Sequence, residues 1–293
     1  PRGARPADRR VKPASSPAML HVENLTKALP NGRVLLDRVS FTVHPGEFVG
    51  ILGASGAGKS LTLRCVLGLT RPDSGRVVMT DRAGCDVMLT EISGRRLREA
   101  RRRMGVIFQG FNLVRRLRVL DNVMIGRLGG IPAWRSWLYG FTDAEAAEAL
   151  EMLRRVKLET YADRVTGTLS GGEMQRVAIA RAMFQKPEIF LADEPIASLD
   201  PSNSLGIMKL LRPLVHETPV VGVFHQPEMT ARFCSRVIAI KRGRVVYDGD
   251  PRLSQSQLED IYGDELIQVL APPPPAAVPA PLGAPDLELG KLA

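Results

Sequence analysis

Several features that would define a class of protein are scarce in this chain of 293 residues. Its three cysteines, Cys65, Cys85 and Cys234, are far apart and form no CxxC pair. Neither a disulfide framework nor a zinc site is therefore expected, and a reducing cytoplasm fits best. No apolar run approaches the roughly 18 residues that a membrane-spanning helix needs, so the chain is not expected to cross a membrane by itself.

Negative charge is outnumbered, and the formal net charge is +9. Part of the excess lies in residues 1–18, a segment rich in Pro, Ala, Ser and Arg that we expect to be a disordered basic tail. A second cluster lies on a predicted helix and consists of Arg95, Arg96, Arg98, Arg101, Arg102 and Arg103. Aromatic residues are only 5% of the chain and do not alternate with these arginines, so no nucleic-acid partner is expected. The cluster is either a solvated face or a contact for phosphate groups and anionic lipid.

The first part of the chain alternates apolar and polar residues in a way that is typical of strands. The alternation starts at Leu20, reappears over 39–43, and is followed by an apolar run over 48–52. Two later short apolar runs, 188–192 and 219–224, are typical of strands buried on both faces of a parallel sheet. We therefore predict an α/β fold with an N-terminal antiparallel β subdomain and a parallel core.

The middle of the chain has a different pattern. Residues 110–170 favour helices, most clearly over 143–156, where Thr142 or Asp143 can act as the N-terminal cap. The simplest account is a helical subdomain inserted into the α/β core, with residues 19–250 forming one domain.

The last part of the chain differs again. Residues 251–270 contain a helical pattern that starts at Leu253. Residues 271–293 are rich in proline, cannot build a core, and are expected to form a disordered tail.

Residues 53–60, here called the glycine loop, read Gly-Ala-Ser-Gly-Ala-Gly-Lys-Ser between a predicted strand and a helical pattern over 59–69. In that context the pattern directs consecutive backbone N–H groups at phosphate oxygens. Lys59 is then expected to reach the β- and γ-phosphates, and the Ser60 hydroxyl to hold Mg²⁺. The predicted nucleotide-binding residues are Gly53, Ala54, Ser55, Gly56, Ala57, Gly58, Lys59, Ser60 and Leu61.

Polar residues also stand where three predicted strands end. Asp193 and Glu194 follow one apolar run, and Gln109 and His225 follow two others. The carboxyl ends of parallel strands are where α/β proteins bind ligands. Asp193 is expected to organise Mg²⁺ through water, and Glu194 to act as general base toward the attacking water. Gln109 is expected to reach the metal or the water, and His225 the γ-phosphate; a polar strand end without function is the alternative for each.

A second glycine segment, residues 169–173, reads Leu-Ser-Gly-Gly-Glu and opens a predicted helix over 173–185. Ser170, Gly171, Gly172 and Glu173 form a further predicted anion site at a helix N-terminus. The alternative is an ordinary helix start. Because this segment lies 111 residues beyond Lys59, one nucleotide is expected to contact both sites only where two subunits face each other head to tail.

This ordered series resembles the nucleotide-binding subunit of an ABC transporter, and the resemblance covers residues 20–249. It implies that the glycine loop is the Walker A loop, 189–194 the Walker B segment and the second glycine segment the signature. The fold implied is a P-loop NTPase core of ABC ATPase type. The cofactors implied are ATP and Mg²⁺, bound in a dimer that closes around two ATP molecules.

The same resemblance implies roles for residues outside these motifs. Gln109 corresponds to the Q-loop and His225 to the switch histidine. Residues 198–200 (Ser-Leu-Asp) correspond to the D-loop, so Asp200 joins the predicted nucleotide-binding residues. The helical subdomain is expected to dock on transmembrane permease subunits.

Finer features resemble the phosphonate importer branch; they lie in residues 111–117, 122–129, 134–136, 245–249 and 261–263. This resemblance implies an importer ATPase at the cytoplasmic face of the inner membrane, served indirectly by a substrate-binding protein. Another cargo (phosphate, phosphite or a polar amino acid) is the alternative, followed by a non-transport ABC ATPase.

Leu29 is a departure from the family pattern, which usually has an adenine-stacking aromatic residue before the first turn. Without the quadrupole of an aromatic ring, we expect weaker or less base-selective nucleotide binding. Leu61 similarly stands where a threonine is usual, and Gly110 where a second glutamine is frequent. None of these departures touches Lys59 or Glu194, so we expect an active ATPase.

Overall fold

The computed structural model describes residues 19–130, 140–197 and 199–266. The predicted tails, residues 134–136 and Ser198 lie outside the described residues. In the described parts the strands are β1 (Leu20–Ala28), β2 (Val34–Val43), β3 (Phe48–Leu52), β4 (Ser74–Thr80), β5 (Asp86–Met88), β6 (Met104–Ile107), β7 (Ile189–Asp193), β8 (Val220–Val223), β9 (Arg236–Lys241) and β10 (Arg244–Gly249). The helices are α1 (Lys59–Val66), α2 (Gly94–Arg101), α3 (Val119–Met124), α4 (Asp143–Arg155), α5 (Gly171–Phe184), α6 (Pro201–Leu214), α7 (Pro227–Phe233) and α8 (Gln255–Tyr262).

The strands form two sheets. An antiparallel sheet has the order β2-β1-β4-β5, and a larger sheet has the order β10-β9-β3-β8-β7-β6. In the larger sheet the neighbours from β9 to β6 are parallel, and β10 is antiparallel to β9. Between β6 and α5 the described residues form helices and short turns, joined by the isolated bridge between Arg118 and Val165. The predicted fold class is confirmed.

The larger sheet is buried on both faces because successive side chains of a strand point to opposite sides. Helices α3, α4 and α5 are here called the helical layer, and in β3 Phe48 and Leu52 belong to the core cluster that contains it. Val49 and Ile51 belong to the cluster formed with the antiparallel sheet and α1. All four are fully buried, so the carboxyl edge of β3 is fixed by packing from both sides.

Helix α4 starts where the sequence predicts. The Thr142 hydroxyl accepts a hydrogen bond from the Glu145 N–H at 3.2 Å, and the Glu145 carboxylate accepts one from the Thr142 N–H at 2.8 Å. This reciprocal pair is a capping box, which satisfies two backbone donors at the helix start.

The bounds of two predicted helices are wrong. Helix α1 ends at Val66 rather than at residue 69, since Gly68 has φ +63° and turns the chain out of the helix. Helix α8 starts at Gln255 because Ser254 caps it, and ends at Tyr262, where Gly263 has φ +57°. Of the predicted segment 253–270, residues 267–270 lie outside the described range.

Most of the arginine cluster is exposed, as a solvated face would be, but two of its members contact neighbouring helices. Arg101 donates to the carbonyls of Leu67 and Gly68 at 2.8 and 2.7 Å. Arg102 donates to the carbonyl of Gly129 at 2.6 Å. Some of these guanidinium groups therefore join α2 to the end of α1 and to the helical layer.

Within the described residues, we find no helix with the length and hydropathy needed to span a bilayer.

Candidate active site at the edge of the parallel sheet

The glycine loop connects β3 to α1, in the middle of the larger sheet. Gly53 has φ +147°, and a Cβ atom there would lie 2.1 Å from the carbonyl oxygen of Ile240. Gly58, with φ +106°, precedes the first residue of α1, and a Cβ atom there would lie 2.7 Å from Leu36. Both positions therefore require glycine, because any side chain would meet neighbouring atoms in a backbone conformation that favours glycine.

Lys59 lies under the glycine loop and is 4% exposed. Its ammonium donates to the carbonyl oxygens of Gly53 at 2.7 Å and Ala54 at 2.9 Å. Burial lowers the pKa of Lys59, and the carboxylates of Glu194 and Glu265 act in the opposite direction. The charge is thus placed inside the curve of the loop.

Ser60 and Asp193 join α1 to the end of β7. The Ser60 hydroxyl donates to Asp193 Oδ1 at 2.7 Å. Burial raises the pKa of Asp193, and the hydrogen bond from Ser60 opposes that shift. A hydroxyl and a half-buried carboxylate are oxygen donors of the kind that Mg²⁺ uses together with substrate phosphates, so these two residues fit the predicted ion.

Glu194, Gln109 and His225 meet at the ends of three adjacent strands, β7, β6 and β8. Gln109 Nε2 donates to Glu194 Oε2 at 2.7 Å, and His225 Nε2 lies 2.7 Å from Glu194 Oε1. The Glu194 side chain is 14% exposed and that of His225 42%. Glu194 also has φ +52°, a left-handed conformation that is uncommon for a non-glycine residue and frequent at functional sites. Each oxygen of this carboxylate is therefore held by a different strand end.

The second glycine segment belongs to the helical layer. Ser170 precedes α5, and its N–H and hydroxyl donate to Glu173 Oε2 at 2.8 and 2.7 Å. These bonds lower the pKa of Glu173. The described hydrogen bonds of Ser170 stay within its own segment and do not reach the glycine loop. The structure thus brings together the loop, Asp193 and Glu194, while Ser170 is satisfied elsewhere.

Asp200 caps α6 and contacts the second glycine segment indirectly. Its carboxylate accepts a hydrogen bond from the Asn203 N–H at 3.0 Å, and this lowers the pKa of Asp200. A Cβ atom on Gly172 would lie 2.7 Å from the Asn203 side chain, so the starts of α5 and α6 approach closely.

Leu61, the last of the predicted nucleotide-binding residues around the glycine loop, packs its apolar side chain against the core cluster that contains α1.

Two contacts of this region were missed from sequence. Arg181 in α5 donates to the carbonyls of Phe111 and Asn112 at 2.9 and 2.6 Å, which ties the segment after Gln109 to the helical layer. Glu265 accepts a hydrogen bond from the Ser55 N–H at 3.0 Å. No local signal predicts these pairs, which are separated by 69 and 210 residues.

Comparison with known proteins decides the family. A model of the ABC transporter family matches residues 36–197, which is more than half of the chain. This chain belongs to the ABC transporter family. The cassette is 43% identical over 250 residues to the phosphonates import ATP-binding protein PhnC 2 of Synechococcus sp., covering 84% of this chain and 91% of that protein. It is 41% identical to the phosphonates import ATP-binding protein PhnC of Bordetella parapertussis, covering 84% and 97%.

A solved structure supports the same assignment. The cassette is 33% identical to a bacterial ABC transporter cassette solved as a dimer, with a TM-score of 0.68, covering 80% of this chain and all of that one. The predicted family, the ABC-type P-loop NTPase fold and the ATPase class are therefore confirmed.

Proposed function

We propose that this cassette is the ATP-hydrolysing subunit of a phosphonate importer. The observation that carries the catalytic part is the Glu194 carboxylate, held by Gln109 and His225 beside Ser60 and Asp193. The names of the two curated relatives described above carry the cargo part, since both are phosphonates import ATP-binding proteins.

The chemistry assigned to the site is attack of water on the γ-phosphorus of ATP with cleavage of its bond to the β–γ bridging oxygen. The Glu194 carboxylate accepts the proton of that water. Gln109 and His225 fix the direction of the two Glu194 oxygens. The glycine loop and Lys59 hold the β- and γ-phosphates. Ser60 would hold Mg²⁺ directly and Asp193 would hold it through water, with Gln109 in reach of the ion. The bound ion would neutralise phosphate charge.

The second glycine segment is assigned to the nucleotide of a partner subunit, because its Ser170 makes its described hydrogen bonds away from the glycine loop. The active form is then a head-to-tail dimer. Asp200, next to the second glycine segment, is assigned to the same nucleotide site. We assign the helical layer to contact with transmembrane permease subunits at the cytoplasmic face of the inner membrane. A substrate-binding protein would deliver the phosphonate.

Replacing Glu194 by Gln tests the catalytic assignment. An amide of the same shape cannot accept the proton, so steady-state phosphate release should fall by about 10²–10⁴-fold. ATP-dependent dimers should accumulate on size exclusion, because ATP binding is kept and hydrolysis is lost. Glu217→Gln, on an exposed residue that pairs with Arg155, is the matched control and should retain full activity. Rapid hydrolysis by Glu194→Gln would refute the general base.

The cargo assignment needs the complete transporter. The cassette, its co-purified permease and the neighbouring substrate-binding protein are reconstituted in liposomes with internal ATP. Uptake of labelled methylphosphonate that exceeds uptake of phosphate, phosphite and glutamine supports the proposal. Preferred uptake of one of the other three would assign the cassette to a different importer.

A further inference from the structure

The C-terminal part of the described chain returns to the glycine loop. After α8, the turn at Gly263 and the short 3-10 helix Gly263–Glu265 bring Glu265 above the loop. There Glu265 Oε2 accepts a hydrogen bond from the Ser55 N–H at 3.0 Å. A carboxylate from the far end of the domain thus contacts a backbone donor of the loop assigned to the nucleotide phosphates.

Packing holds this segment in place. Ile261, Tyr262 and Leu266 are 2%, 4% and 8% exposed, and Ala54 of the glycine loop packs against the same small cluster. In addition, the Lys241 ammonium donates to the carbonyl of Asp260. Glu265 is therefore carried by a buried three-residue anchor and not by a free tail.

The surroundings of Glu265 are basic. A cavity of about 590 Å³ lies between the glycine loop and the last turn of the segment, and Arg33, Lys241 and Arg242 line it together with Glu265. The negative charge of Glu265 also acts on Lys59, where it tends to raise the pKa of the ammonium group. The Glu265 carboxylate thus shares this cavity with three basic side chains.

A carboxylate oxygen and a phosphate oxygen compete for the same donor, since both are anionic acceptors of backbone N–H groups such as that of Ser55 in the glycine loop. We propose that Glu265 is an internal competitor of ATP, which occupies the Ser55 N–H in the nucleotide-free cassette and leaves it when the phosphates bind. The inference rests on the proposed placement of the phosphates on the glycine loop. On this inference the C-terminal segment lowers the nucleotide affinity of the glycine loop.

The test is a set of ATP dissociation constants for the full chain, measured by calorimetry with ATP in the presence of Mg²⁺. Glu265→Gln keeps the size of the side chain and removes the charge, so ATP should bind roughly three- to tenfold more tightly. Glu259→Gln, on the exposed face of α8, is the control and should leave the affinity unchanged. Glu265→Ala should tighten binding at least as much as Glu265→Gln.

Thermal unfolding provides a second readout, because a merely supporting carboxylate would behave differently. A competitor predicts that the ATP-induced rise in Tm is larger in Glu265→Gln than in the unmodified chain. A supporting role predicts a smaller rise and weaker ATP binding, and either an unchanged or a weakened affinity overturns the inference. Lys59→Ala tests the proposed nucleotide site independently of Glu265. If it leaves ATP affinity intact, the proposed nucleotide site itself is wrong.

Discussion

The two helix starts assigned to phosphate, those of α1 and α5, differ in how their backbone donors are satisfied. Within the described residues, no side chain caps α1, its first turn holds no acid, and Gly58 precedes it in a left-handed conformation. Helix α5 starts with a complete capping box in which Ser170 and Glu173 satisfy each other. The start of α1 therefore has no acidic group of its own segment to satisfy its donors, whereas two donors at the start of α5 are satisfied within its segment.

This difference is consistent with the proposed site shared between two subunits. The glycine loop offers its N–H groups to any anion in reach, and in this structure the Glu265 carboxylate takes one of them. Ser170 already donates to Glu173, so the proposed contact with a partner's nucleotide requires it to exchange that bond. Binding is thus expected in the single subunit, and hydrolysis only after dimerisation.

The largest effect on nucleotide affinity should come from Gly53, in the loop before α1, and little effect should come from Gly171, at the start of α5. Gly53→Ala places a methyl group 2.1 Å from the Ile240 carbonyl, so the loop must distort and ATP affinity should fall at least about tenfold. Gly171→Ala places one 3.6 Å from Leu199, an ordinary contact, and should leave ATP affinity of the single subunit within about twofold. Calorimetric ATP titration of both variants measures this, and circular dichroism checks that each is folded. Equal losses of ATP affinity in both variants would contradict the difference between the two helix starts.

A smaller effect is expected for Ser170→Ala. Loss of an N-terminal cap costs about 1 kcal/mol, which corresponds to a fall in Tm of roughly 2–4 °C. ATP affinity of the single subunit should not change, while steady-state hydrolysis should drop because the partner's nucleotide loses a donor. Scanning calorimetry and phosphate release are the measurements. A weakened ATP affinity in the monomer would place Ser170 at its own subunit's nucleotide.

The smallest effect concerns Leu29, in the turn before β2. Leu29 is 39% exposed, and the turn continues to Arg33, which lines the cavity beside the glycine loop. An aromatic ring adds about 0.5–1.5 kcal/mol of stacking, so Leu29→Tyr should tighten ATP binding roughly two- to tenfold. Val246→Tyr, at an exposed aliphatic residue of β10, is the control. No gain in affinity would show that the base is held elsewhere.

Much of this arrangement was predictable from the residues because its determinants are local. The strand–loop–helix order around Lys59 predicts the glycine loop, and apolar runs followed by Asp193 and His225 predict the edge of the sheet. The spacing of Ser170 and Glu173 also fits a capping box, a signal that the sequence interpretation did not use. Roles in catalysis remain predictions, because they depend on a nucleotide and on a second subunit.

The remaining contacts depend on pairs that only the tertiary fold brings together. Gln109 and Glu194 are 85 residues apart, and Ser55 and Glu265 are 210 apart. Loop geometry decides such pairs, and the turn at Gly263 that directs Glu265 toward the loop has no periodic pattern. The ends of α1 and α8 were misplaced for a related reason, since Gly68 and Gly263 end these helices inside patterns that continue to look helical.

Mixing two inactive variants tests the central claim, that one subunit's glycine loop works with the other subunit's second glycine segment. Lys59→Ala removes the loop charge, and Ser170→Arg blocks the second segment. In a head-to-tail dimer, half of the mixed dimers' sites combine the two intact elements, so an equimolar mixture should recover on the order of a quarter of the normal ATPase rate. If the mixture is no more active than the two variants measured separately, both elements serve the same subunit's nucleotide and the account is wrong.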